Sequence, residues 1–362
     1  MPKKNPLFDL LRGQSRPYRP QELARLFRRV DQNRVRSLCS ALSSYIGTNL
    51  PKAIERRGGL AGYRTNPYVL MTSASVMKLQ NPQRFADFLF NTKLYMGLET
   101  SFGKSIEAAF VGLYPLRPDT LHRWTDPPEK TAEASRLTGL SREQRARART
   151  TSAWREIDKS CVVGGHRYLL NIKSGPNCIN DTQVQAMTMA IVSNKERWVE
   201  QTQTTYPGIR ELDVVVGLTY GTERTTNNKE NQIIVKLLQN GFEEENRSRK
   251  PGVLVDSATG QIRVYRRIGR NFWSFIGSPD DPPSADYVFL EILLALSKSL
   301  SEGVPNTDLE SRINQRIREL SDAIASLTIP RQSLPEWIRQ DFSETQLFWF
   351  ATSMTAFYDQ GV

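Results

Sequence analysis

Residues 154–185 read WREIDKSCVVGGHRYLLNIKSGPNCINDTQVQ. Two apolar runs, 154–163 and 166–173, flank Gly164-Gly165, a dipeptide that favours a tight primed hairpin turn. The spacing predicts an antiparallel strand pair. Asn180 or Asp181 then caps a helix over 180–201, in which Val184, Met187, Ile191 and Val192 share a face. The continuous apolar run ELDVVVGLT at 211–219 predicts a buried strand. Strand, helix and strand make one unit of a mixed sheet, so the fold class expected is α/β, a mixed β-sheet core flanked by helices.

Alternate residues of a strand share a face, which pairs Glu156 with Asp158 and Asn171 with Lys173. An ordinary hairpin brings all four to one sheet edge and turns Ile157 and Ile172 into the core. Charges held there cost stability unless they are paired or bind a metal. Phosphodiester hydrolysis uses such a set. Magnesium takes hard oxygens from one or two carboxylates and from the phosphate, and a lysine ammonium orients water or stabilises the charge building on phosphorus. Asp158, Asn171 and Lys173, with Glu107 or Glu156, supply these parts, and Asp158, Asn171 and Glu107 are the candidate ligands of Mg2+. Each has a plain counterpart. Asp158 can pair with Arg155 or Lys159, Lys173 can guard a sheet edge, and Glu107 can pair with Lys104 on a helix surface.

Working outward, the chain of 362 residues carries 49 Lys and Arg against 38 Asp and Glu, an excess of +11 that favours a polyanionic partner. Three cysteines, two histidines and no CxxC make a His/Cys metal centre or a disulfide framework a poor fit. No apolar h-region follows MPKKNPLFDL, and no run of 18 apolar residues occurs. A soluble, cytoplasmic protein without a membrane span is therefore expected.

Residues 1–80 read as a helical, basic region, with Arg25, Arg28, Arg29, Arg34 and Arg36 around Leu23, Leu26, Phe27, Val30, Leu38 and Leu42. Residues 81–283 form the core. It opens with Asn81-Pro82 as a helix start, a helical stretch to about 114 broken near Gly97, and a Pro- and Arg-rich connector over 115–150. The cluster Arg142, Arg145, Arg147 and Arg149 suits a short basic helix facing solvent or DNA. Residues 252–269 predict two strands around Ala258-Thr259-Gly260. Residues 284–362 are helical by pattern, over 284–301, 307–327 and 343–358. The polar loop 222–231 holds Arg224, Asn227, Asn228 and Lys229, side-chain types that read guanine and adenine edges in the major groove.

The pattern D-x(12)-N-x-K over Asp158, Asn171 and Lys173, followed by SGPN, resembles the signature of the PD-(D/E)xK nuclease superfamily in the form found in type II restriction endonucleases. The stretches VVVGLTYGTERTTNNKENQI and RVYRRIGRNFWSFIG are similar to restriction-enzyme segments as well, so the likeness covers roughly residues 95–280. It implies a restriction-endonuclease-like core in which Asp158 takes the place of the first acid, Lys173 that of the lysine and Asn171 that of the second acid. Glu107 resembles the acid that many members place on a helix. The activity implied is Mg2+-dependent, sequence-specific cleavage of double-stranded DNA by a homodimer, with a cognate DNA methyltransferase as a possible partner. Asn171 departs from the pattern, because a neutral amide stands where a carboxylate is usual. Either Glu156 or Glu107 supplies the missing charge, or the chain is a non-catalytic DNA-binding protein on a decayed nuclease fold. A repair or mobile-element nuclease is the other alternative.

Overall fold

A computed structural model describes residues 19–55, 60–63, 66–113, 123–173, 175, 179–221, 229–245, 252–302, 306–327 and 329–357. In chain order the helices and strands are α1 (Pro20–Phe27), α2 (Gln32–Glu55), α3 (Pro67–Val76), α4 (Pro82–Leu113), α5 (Pro128–Arg136), α6 (Arg142–Thr151), β1 (Lys159–Val163), β2 (His166–Lys173), α7 (Asp181–Thr205), β3 (Glu211–Leu218), α8 (Lys229–Leu238), β4 (Phe242–Glu244), β5 (Val253–Asp256), β6 (Ile262–Ile268), α9 (Arg270–Gly277), α10 (Val288–Glu302), α11 (Asn306–Ala325), α12 (Glu336–Asp341) and α13 (Glu344–Phe357). No described helix is long and apolar enough to cross a membrane.

The chain divides into two compact units. One is made of residues up to Leu42 with Gly103–Ser297, the other of Ser43–Phe102 with Lys298–Val362. These are discontinuous in sequence and do not follow the three consecutive regions 1–80, 81–283 and 284–362. A linear reading has no means of joining segments so far apart.

The first unit holds a six-stranded mixed sheet in the order β1-β2-β3-β6-β5-β4. β1 and β2 are antiparallel, with Lys159 opposite Leu170 and Val163 opposite His166. Gly164 and Gly165 turn between them at φ of 59° and 79°, left-handed values that a side chain adopts only at a cost. β2 runs parallel to β3, and β3 parallel to β6, while β5 and β4 extend the sheet antiparallel. The α/β class and the mixed sheet are thus as expected.

Each face of the sheet has its own cover. On one, Leu169, Val214, Val216 and Val264 pack with Val184, Met187, Ile191 and Trp198 of α7 and with Ile233, Ile234 and Leu237 of α8. On the other, Phe275 of α9 meets Tyr168 and Tyr265 edge-on at 5.3 and 6.1 Å. Gly217 lies under α9, where an added Cβ would come within 2.4 Å of the Phe272 ring, so the helix can approach only over a glycine. Asn180 caps α7 reciprocally with Gln183, which places Gln183 in the cap.

Three local readings are corrected. The first strand begins at Lys159, not at Trp154. Arg155 N–H bonds Ser152 O and Ile157 N–H bonds Trp154 O, which bends 154–157 into turns, and the buried Trp154 packs against Trp198 at 6.0 Å. α4 runs unbroken through Gly97, where one glycine costs only about 1 kcal/mol against a long helix. The polar stretch 222–231 ends in α8, which starts at Lys229.

In the second unit, Leu70 and Ala74 of α3 pack with Phe85, Leu89 and Phe90 of α4 and with Ile317, Leu320 and Ile324 of α11. Phe348 of α13 meets Phe85 edge-on at 5.7 Å, and Trp349 Nε1 donates to Leu79 O at 2.6 Å.

The first unit also contains a buried ion pair. Arg167 of β2 is fully buried, and its two Nη groups donate to both carboxylate oxygens of Glu129 on α5 at 2.8 and 2.7 Å. Nη1 also reaches Thr202 of α7 at 3.0 Å. The guanidinium lies over the rings of Trp154 and Tyr206 at 5.2 and 5.1 Å. Burial by itself raises the Glu129 carboxyl, but the Arg167 hydrogen bonds and charge outweigh it and hold the group below its ordinary value. Glu129 therefore contributes stability above the ordinary glutamate pKa of about 4.3, and that contribution is lost as pH falls through the depressed value. Glu129→Gln is expected to cost about 3 kcal/mol at pH 7, because it leaves a buried guanidinium under-compensated. The difference from the parent shrinks in acid. Urea unfolding at pH 7 and pH 3.5 measures both, and an equal cost at the two values rules this account out.

Candidate active site

The chain reaches the sheet through α5, α6 and the turns at 154–157. Asp158 is the last residue before β1. Its N–H bonds Leu170 O at 2.8 Å, and its Oδ2 accepts the N–H of Ile172 at 2.6 Å. The carboxylate thus continues the β1–β2 ladder by a side-chain bond. Burial pushes the Asp158 carboxyl above its ordinary value. The Ile172 N–H and the ammoniums of Lys173 and Lys130 oppose that rise, and the Glu156 carboxylate adds to it.

Asn171 is buried, with only 1% of its surface exposed. Its Nδ2 donates to the backbone oxygen of Glu156 at 2.6 Å. Among the described residues nothing donates to its Oδ1, which remains available as an acceptor or ligand. The amide is needed in this position, since an ionised carboxylate would set oxygen against oxygen. Lys173 ends β2, and its carbonyl accepts the N–H of Thr219 at 3.0 Å, which fixes the strand end. Past it, an added Cβ on Gly175 would fall 2.2 Å from Tyr220 Cζ, so the glycine of SGPN admits the Tyr220 ring.

The structure therefore brings Asp158, Glu156, Asn171 and Lys173 into one neighbourhood. It does so by a different route from the expected one, because Glu156 and Asp158 precede the strand and share no strand face. Glu156 has a second partner in Arg155, at 3.4 Å. Ile157 and Ile172 are both buried, as expected. Glu107 lies on α4, and its side chain falls outside the described part of the structure. Arg224, Asn227 and Asn228 lie outside the described residues. Lys229 is ion-paired with Asp181 at the start of α7.

Lys130 was not anticipated. It donates to Ile157 O at 2.6 Å and acts on the Asp158 carboxyl from α5, a segment that reads as connector. His166, the first residue of β2, stands 3.0 Å from Asp213 Oδ2 in a network with Arg263 and Glu211. Cys161 is no nucleophile at neutral pH, because burial, with Asp280 adding, pushes its thiol up to about 12. Arg29 and Arg34, from the basic N-terminal region, both lie over the Tyr287 ring, and Arg34 is ion-paired with the buried Glu291 at 2.8 Å.

Among the described residues, no three of His, Cys, Asp and Glu come together so as to hold a metal ion. The hard oxygens at this site are those of Asp158, the Asn171 amide and Glu156. One or two carboxylates suffice for magnesium when substrate phosphate completes the sphere, so the donor set fits Mg2+ bound together with substrate. The sequence matches no protein-family model, and no curated protein matches it.

Asn171→Asp is expected to destabilise the metal-free protein by at least about 2 kcal/mol, more than Asn171→Ala, since it buries a charge against the Glu156 carbonyl. Urea unfolding at pH 7 checks this. An Asp variant as stable as the parent would show that the amide bond to Glu156 has no structural weight.

Proposed function

We propose that this protein is a magnesium-dependent endonuclease of the type II restriction class, built on a restriction-endonuclease-like core. The observation that carries the reading is the place of the buried Asp158 carboxylate. It accepts the Ile172 N–H at 2.6 Å where the β1–β2 pair ends, between Asn171 and Lys173 in the sequence of β2. The mixed sheet with helices on both faces supports the same reading, as does the net charge of +11.

Asp158 and Asn171 would hold Mg2+, with Glu156 or Glu107 as a further acid. When bound, the ion supplies charge neutralisation at the phosphate and lowers the pKa of water. Lys173 orients the attacking water and stabilises the negative charge that grows on the phosphoryl oxygens. The water oxygen forms the new bond to phosphorus and gives up a proton to solvent, one ester P–O bond breaks, and the departing alkoxide takes up a proton from solvent. Lys130 keeps the Ile157 carbonyl in place and so positions Asp158. A twofold homodimer sets one such site on each strand of double-stranded DNA. In the cytoplasm, a methyltransferase acting on the same sequence would protect the host DNA.

Asn171 favours a second reading, a DNA-binding protein that has lost cleavage. Plasmid digestion in Mg2+, against a chelated control, separates the two. The nuclease reading expects discrete fragments in Mg2+ and none with chelator. Asp158→Asn and Lys173→Ala are expected to bind DNA but to cut at least about a hundredfold more slowly. Cutting at the parental rate by either variant refutes the site. DNA binding with no cleavage in Mg2+ or Mn2+ establishes the second reading.

A further inference from the structure

Helix α6 (Arg142–Thr151) buries none of its residues. It reads REQRARARTT, with four arginines, one acid and two alanines as its only apolar residues. Arg142, Arg145, Arg147 and Arg149 are all exposed, and none has a partner among the described residues. Four other arginines of the same unit are engaged by acids, Arg34 with Glu291, Arg167 with Glu129, Arg197 with Glu133 and Arg263 with Asp213. At 100° per residue, Arg142, Arg145 and Arg149 fall within about 60° of one another and span about 10 Å of axis, while Arg147 points to the far side. A helix that is polar all round has no packing reason to be there.

This helix is nevertheless firmly fixed at both ends. Ser141 and Gln144 cap its start reciprocally. After its last turn, Ser152 bonds Glu133, and the buried Ala153 and Trp154 anchor the chain. The turns that follow end at Asp158. The arginine stripe is thus held on the segment that leads directly into the candidate active site.

We infer that Arg142, Arg145 and Arg149 form a phosphate track, which holds the backbone of duplex DNA beside the site. The inference rests on the nuclease reading. A protein partner would find no apolar anchor on this helix. A polyanion finds three cations in a row, against a rise of about 3.4 Å per nucleotide along a strand.

The test uses the full chain and a 30-base-pair DNA duplex, with affinity measured from 50 to 300 mM salt. Arg142→Gln/Arg145→Gln/Arg149→Gln should lower the slope of log affinity against log salt by about 2 to 3, close to 0.9 per phosphate lost. The loss should be the same on unrelated duplex sequences. The triple Arg→Lys variant should restore the slope, because a phosphate needs only charge. Arg147→Gln should change the slope by less than one. An unchanged slope in the triple Gln variant overturns the track while DNA binding by the parent stands. Loss confined to one sequence, with no rescue by Lys, overturns it in favour of base reading. Loss on an RNA duplex but not on DNA overturns it in favour of an RNA partner. If the parent binds no DNA in any salt, the nuclease reading fails together with the track.

Discussion

The buried pair between Arg167 and Glu129 determines where the candidate site sits. Arg167 is fully buried within the sheet, and its charge is tolerable there only because Glu129 meets it with two hydrogen bonds. That requirement pins α5 against the sheet, although the two residues lie far apart in the chain. The same guanidinium lies over Trp154, whose Nε1 donates to Gln201 of α7 at 3.1 Å. Trp154 opens the turns that deliver Asp158, and Lys130, the neighbour of Glu129, donates to the Ile157 carbonyl just before Asp158. One ion pair thus orders the helix, the turn and the carboxylate.

The departure at Asn171 has a physical explanation in the same place. The residue opposite the turn must donate a hydrogen bond to the Glu156 carbonyl, which would otherwise face a buried strand residue without a partner. A carboxylate has no hydrogen to give once ionised. The amide satisfies the turn with its nitrogen and leaves its oxygen for a ligand. On the proposed nuclease reading the cost is one negative charge at the site, and Glu156, two residues before Asp158, is placed to make it up. Its Arg155 partner is about half exposed, and so holds it only weakly.

Much of this was legible in sequence, because it is local. The Gly164-Gly165 turn, the Asn180 cap, the apolar face of α7 and the run at β3 each carry their signal within a few residues. Asp158, by contrast, reaches β2 through the turns at 154–157 and not through a shared strand face. What escaped depends on distant partners. Nothing near Trp154 says that the chain must bend there, since the cause is Trp198 and Arg167. Nothing near Lys130 marks it as a neighbour of Asp158. The compact units were hidden for the same reason, each being assembled from separated segments. Glycine signals misled in one case. Gly97 sits inside a continuous helix, whereas Gly217 and Gly175 matter through rings that reach them from elsewhere.

The two ends of the parallel strands treat charge differently, and the contrast bears on which end is functional. Where β2, β3 and β6 begin, His166, Glu211, Asp213 and Arg263 interlock. Arg263 Nε donates to Asp213 at 2.8 Å, and His166 stands within 3.2 Å of Glu211. The acids there are paired directly with Arg263, although burial lowers its guanidinium as well. Where β2 ends, the Asp158 carboxyl stays above its ordinary value despite two ammoniums and a backbone N–H. Its negative charge is thus less well compensated than the fold could have made it. The proposed reading assigns the missing compensation to a hard divalent cation held with a phosphate ester, which oxygen donors beside a lysine suit. Strand ends of this polarity are also where open α/β sheets place their ligands. On the proposed nuclease reading, the Asp158 carboxylate bonded to the Ile172 N–H therefore puts the reacting phosphate at the carboxyl end of β2.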